Sequence, residues 1–190
     1  MFDNNEECKQ MTDVIIEKSN QLTKIIDDVL YVSDIQNIPL SIEHFKLGDI
    51  ISETIGNYKP LLREGGSITA SSGIMEIGVV SDRKMLAKVL SMVVDNAVKF
   101  AGNSPITITA TQDATHEDIV VSDCGPGIPK DKVQWVFDEF TKVDEFVQGT
   151  GMGLAICRDV MKRLEGTIFV DTTYDKGCRI VIRLYHQTTI

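Results

Sequence analysis

From Cys8 to about Ile35 the chain has neither glycine nor proline, and Met11, Ile15, Lys18, Leu22, Ile25, Val29 and Val32 recur at alternating spacings of four and three. This is a heptad seam with one polar member, Lys18, and it predicts a helix that seeks partner helices. Val14, Ile26 and Leu30 widen the apolar face, which also fits an ordinary helix lying on its own domain. Pro39 blocks continuation, and Leu40 to Phe45 alternates apolar and polar as a short strand does.

The rest of the pattern switches repeatedly between periods of two and of 3.6. It predicts a helix near Leu47 to Tyr58, strands at Ser67 to Ala70 and Glu76 to Val80, and a long helix from Asp82, its N-cap, to Phe100. Strands at Ile106 to Thr111 and Asp118 to Asp123 flank the turn Asp113-Ala114-Thr115-His116. A short helix around Val133 to Phe140, a polar loop, a helix from about Gly151 to Leu164, and strands near Thr167 to Thr172 and Cys178 to Leu184 follow. Paired strands with helices segregated between them predict an α+β fold, a two-layer α/β sandwich whose mixed sheet is covered on one face by helices. Two units are expected, a coiled-coil-like helix over residues 1–38 and a globular domain over residues 39–190.

Composition narrows the class of partner. Nineteen basic against 28 acidic residues give a net charge of −9, which disfavours nucleic acid and anionic lipid and leaves proteins and small molecules. Cys8, Cys124, Cys157 and Cys178 form no C-x-x-C pair and have no histidine at ligand spacing, a pattern of reduced thiols in a cytoplasmic setting. No apolar run approaches the roughly 18 residues a membrane span needs, so no membrane contact by these residues is expected.

Three short motifs carry candidate chemistry. On the helix from Asp82 to Phe100, Leu86, Leu90, Val93 and Ala97 make the core stripe, while Asn96 and Lys99 lie three apart on another face. An amide oxygen suits Mg²⁺, which keeps several waters and leans on substrate phosphates, and a lysine can neutralise phosphate; taken alone, a solvated polar face accounts for the pair better. Asp123 ends a strand and enters Gly125-Pro126-Gly127-Ile128, where a fixed carboxylate could accept a bond from a purine amine or merely shape a turn. Gly149-Thr150-Gly151-Met152-Gly153-Leu154 leads into an apolar helix, so free N–H groups and the helix dipole point at an anion. Leu154 stands where a Rossmann fingerprint needs glycine, and no Walker P-loop is present.

These residues resemble the catalytic and ATP-binding domain of sensor histidine kinases, in the wider group shared with gyrase, Hsp90 and MutL. Asn96-Ala97-Val98-Lys99-Phe100 is similar to the family's N box, Asp123 to Ile128 to its G1 box, Phe137-Asp138-Glu139-Phe140 to its F box and Gly149 to Leu154 to its G2 box. The resemblance covers roughly residues 40 to 190, and the heptad helix resembles the second helix of the family's dimerisation and phosphoacceptor hairpin. It implies ATP and Mg²⁺ as ligands, with Asn96 on the metal, Lys99 on phosphate and Asp123 on adenine. Phe100, Gly125, Gly127, Ile128, Lys142 and Gly149, Thr150, Gly151, Met152, Gly153 and Leu154 complete the implied nucleotide site, and Thr141 to Gly149 would be the lid. Implied partners are a second copy, through the N-terminal helix, and a response-regulator receiver domain.

Two departures bear on activity. Where the family has Asn, and its ATP-hydrolysing cousins a Glu that activates water, one turn before Asn96, this chain has Met92, and a thioether is no general base. The chain has only three histidines, His44, His116 and His186, none on the heptad helix, so the phosphoacceptor is expected outside these residues and the chain reads as a fragment of a kinase. A nucleotide-binding pseudo-kinase or dimerisation module, and a gyrase-type ATPase, are the other functions the pattern allows.

Overall fold

In the computed structural model, residues 4–142 and 149–186 are described. The chain opens with α1, Asn4–Asp34, as the glycine-free heptad segment requires. Then β1, Ile42–Lys46, leads into α2, Leu47–Tyr58, and β2, Ser67–Ala70. Next come β3, Gly78–Asp82, and α3, Arg83–Ala101. The chain continues through β4, Pro105–Gln112, and β5, His116–Ser122, and ends with α4, Gly153–Arg163, β6, Thr167–Val170, and β7, Arg179–Tyr185.

Five strands make one sheet in the order β2-β4-β5-β7-β6, with β2 parallel to β4 and the other neighbours antiparallel. Register explains which face is covered. Ile108 is opposite Val121, Val121 opposite Ile180 and Ile119 opposite Ile182, so one apolar row runs across three strands, and all of these side chains are buried. α2, α3 and α4 cover that row. α3 contributes Leu86, Val89, Leu90, Val93 and Ala97, the predicted stripe, each large one stabilising the fold by about 2 kcal/mol through burial. The opposite face is polar, with Arg183 paired to Asp118 and Arg179 bonded to Ser122. The α+β sandwich expected from the pattern is the fold observed.

Three local expectations differ. Val133 to Phe140 forms no α-helix; Trp135, Asp138 and Thr141 each donate to the carbonyl three residues earlier, giving consecutive tight turns. β1 and β3 pair only with each other, in a two-stranded ribbon that buries just Phe45 from β1, so the apolar Leu40 and Ile42 are exposed. The third concerns α1. Its C-terminal half packs on the globular domain through a stripe adjacent to the predicted seam: Asp28 and Ile35 are buried, with Tyr31 and Val32 against the core. Met11, Ile15, Leu22 and Val29 of the seam remain exposed, together with Val14, Ile26 and Leu30. Arg163 of α4 fixes the connection by donating through Nη2 to the Ile38 carbonyl.

Candidate functional site

A cavity of about 640 Å³ opens between α3, the end of β5, the loop after it and the start of α4, a volume ordinary for a small-molecule site. Each wall follows from a local feature of the sequence. α3 is started by Asp82, whose Oδ1 accepts from the Met85 N–H at 3.0 Å while Oδ2 accepts from Ser41 N–H at 2.8 Å. With the Leu86 to Ala97 stripe against the sheet, the helix presents Met92, Asp95, Asn96 and Lys99 to the cavity, at spacings of a turn.

Asp123 lies one residue beyond β5 and is 5% exposed. Its Oδ1 accepts from the N–H groups of Gly125, at 2.8 Å, and Cys178, at 3.2 Å, and so binds the turn to the start of β7. Burial pushes its carboxyl above the usual carboxylate range, while those two N–H bonds pull the other way. Oδ2 takes neither bond. Gly125 is required here by close approach: a Cβ would lie 2.5 Å from the Phe100 carbonyl oxygen and 3.1 Å from Asp123 Oδ1. The Cys178 thiol, at the cavity wall beside Asp123, is pushed up to about 12 by burial and by that carboxylate, which makes it inert as a nucleophile.

The glycine-rich segment forms a turn into α4. Gly151 has φ +73°, and a Cβ there would meet the Phe140 carbonyl carbon at 2.8 Å, so no other residue keeps this turn against the preceding loop. Thr150 Oγ1 accepts from the Met152 N–H at 3.2 Å, and Met152 offers no side-chain cap of its own. Gly153 and Leu154, the first residues of α4, line the cavity, which brings the positive end of the helix dipole to its wall.

Of the residues expected from sequence, Asn96, Lys99, Phe100, Asp123, Gly127, Ile128, Lys142, Gly149, Thr150, Gly151, Gly153 and Leu154 all line this one cavity. Gly125 and Met152 do not; Gly125 shapes the turn from behind, and Met152 is buried in the core. The interior of the expected lid, residues 143–148, lies outside the described residues. None of His44, His116 and His186 lines the cavity.

Lys24, Asp28 and Asp95 are among the lining residues that the sequence reading missed. Asp95 Oδ2 takes the Lys99 ammonium in a short ion pair and lies 3.8 Å from Lys24 Nζ of α1. Asp28, also from α1, is 6% exposed and accepts from Thr150 Oγ1 at 3.0 Å. The signal for Asp28 was available: Ile25, Asp28, Val32 and Ile35 repeat at three, four and three, a stripe interrupted by one carboxylate, of which Asp28 and Ile35 are buried and Ile25 and Val32 half-buried.

Among the described residues no three His, Cys, Asp or Glu side chains cluster to hold a metal by themselves. A single amide, Asn96, with anion-seeking N–H groups across the cavity fits a metal carried in on phosphate oxygens. Among the described residues, too, no helix is long and apolar enough to cross a membrane.

Residues 81–188 match the model of the histidine kinase-, DNA gyrase B- and HSP90-like ATPase family. Over 174 residues, 87% of this chain, the sequence is 32% identical to the sensor histidine kinase RcsC of Escherichia coli K12, of which it spans 18%. The fold is similar to that of full-length ShkA in its complex with AMPPNP, with a TM-score of 0.82, 22% identity and coverage of 97% of this chain and 40% of that one. It is likewise similar to histidine kinase ThkA in its complex with the response regulator TrrA, with a TM-score of 0.77, 22% identity and coverage of 97% and 53%. The match spans α3, the Asp123 turn and the glycine-rich turn together, and it makes this chain a member of the histidine kinase-, DNA gyrase B- and HSP90-like ATPase family, homologous to the sensor histidine kinases.

Proposed function

We propose that the chain binds Mg-ATP in this cavity and positions the γ-phosphoryl group for transfer to a histidine carried outside these residues, from which it passes to an aspartate of a response-regulator receiver domain. The observation that carries the reading is the convergence of Asn96, Asp123 and the Gly149 to Leu154 turn on one cavity from three separate elements. The complexes of ShkA with AMPPNP and of ThkA with TrrA support it by homology of fold.

Asp123 Oδ2, free of the turn's own bonds, would accept from the purine amine, a charge-assisted bond contributing on the order of 1.5–3 kcal/mol. The N–H groups around Gly149, Gly151 and Gly153 would bind phosphate oxygens, and Asn96 would complete the shell of a Mg²⁺ held mainly by the triphosphate. Lys99, now paired to Asp95, would turn toward phosphate as that charge arrives. In the transfer the bond from the γ-phosphorus to ADP breaks and one to an imidazole nitrogen forms; the protein's part is positioning and charge neutralisation. Met92 lines the cavity one turn before Asn96 and supplies no base for water, which favours transfer over hydrolysis.

Incubating the chain with a separately made acceptor-helix hairpin and γ-labelled ATP tests the reading. Label on the hairpin histidine is expected; nucleotide binding with an unlabelled hairpin would instead support a pseudo-kinase.

A further inference from the structure

α1 reaches the cavity at two points, both at the end where the proposed triphosphate lies. Asp28 Oδ2 accepts a hydrogen bond from the Thr150 hydroxyl, and Lys24 approaches the same Asp95 oxygen that holds Lys99. The helix thus engages directly, or through one carboxylate, the two groups a polyphosphate would ask for. Thr150 has one hydroxyl proton and already uses an acceptor site on the Met152 N–H. Asp28 and a phosphate oxygen compete for that proton. Asp28 is also 6% exposed and lines the cavity, so an incoming polyanion meets a carboxylate poorly screened by water.

We infer that docking of α1 and occupation of the phosphate end of the site oppose one another, with Asp28 as the residue that couples them. The inference rests on the nucleotide reading above and adds to it a consequence for regulation. Coupling between two equilibria is reciprocal: if docking lowers polyphosphate affinity by some factor, polyphosphate loosens docking by the same factor. Any partner that pulls on α1 thereby changes how well the site holds nucleotide. Asp28 acts here in two ways, on the turn through the bond from Thr150 and on an incoming polyanion through its charge at the cavity wall.

The test titrates Mg-ATP and, separately, adenosine into the full chain and into Asp28→Asn, which keeps the size and an acceptor for Thr150 while removing the charge. Mg-ATP affinity is expected to rise about tenfold, within the usual range of coupling factors, with adenosine affinity unchanged. Equal or weaker Mg-ATP binding by the variant overturns the inference but leaves the nucleotide reading standing. Absence of both ligands from the wild-type chain would sink the nucleotide reading itself. A second arm needs no variant: amide exchange over residues 21–34 of the wild-type chain should quicken with Mg-ATP and not with adenosine. Exchange that stays unchanged with saturating Mg-ATP also overturns it.

Discussion

Asp123 has one carboxylate oxygen committed to structure and one left over for the proposed chemistry. Its Oδ1 ties the turn after β5 to the start of β7, and only the other oxygen is left for a ligand. Its type and place were legible, because a carboxylate between a β-branched strand and Gly-x-Gly has few roles. Asp95 was not, since neither its neighbours nor the helical period says which lysine will turn toward it. Away from the site, His186 donates from Nε2 to the buried Glu117 at 2.6 Å, and that bond, then the charge of Glu117, raises the imidazole above its ordinary range. A raised value in the folded state means the contribution is full below about pH 6.5 and is lost as pH rises through the raised value. Thermal unfolding measured from pH 6 to 8.5 should show a decline in midpoint that His186→Gln flattens. The effect is small, because the imidazole is partly solvated.

Among the elements, α3 joins the fold to the site, and its start is set by one residue. Asp82→Ala removes the cap on the Met85 N–H and strands the Ser41 N–H, which together cost about 2–4 kcal/mol. Urea denaturation should show that loss, and Asp82→Asn should recover part of it. α2, β2 and α3 were legible almost to the residue, because each has a clear period and a clear stop. The segment from Val133 to Phe140 was not, since its apolar spacing suits one helical turn equally well as the successive tight turns that form. β1 misled differently. Alternation does not say which face turns inward: Phe45, out of phase with Leu40 and Ile42, is the residue packed in the core, and those two are exposed on the other face.

At the scale of the molecule, α1 has two faces and two occupations. One stripe, through Asp28 and Ile35, is used by the domain; the other, through Met11, Ile15, Leu22 and Val29, is bare. A contiguous exposed row of this kind on a helix with heptad spacing predicts self-association. Sedimentation equilibrium should show a reversible dimer that Leu22→Glu disrupts, whereas a strict monomer at high concentration would contradict it. The second stripe, Ile25, Asp28, Val32 and Ile35, stands in the spacing beside the first and shares Ile25 and Val32 with it, so spacing alone does not say which of the two meets the domain. Which stripe meets the domain is decided by the shape of α3 and α4, information that exists only once they have packed. The central claim remains the adenine nucleotide site, and calorimetric titration of Mg-ATP into the wild-type chain and Asp123→Asn tests it most directly. Asparagine keeps Oδ1 for the turn and turns the ligand-facing acceptor into a donor. The account predicts saturable one-to-one binding, weakened at least tenfold by the substitution with unfolding barely changed; no heat at millimolar nucleotide, or equal affinity in the two proteins, would contradict it.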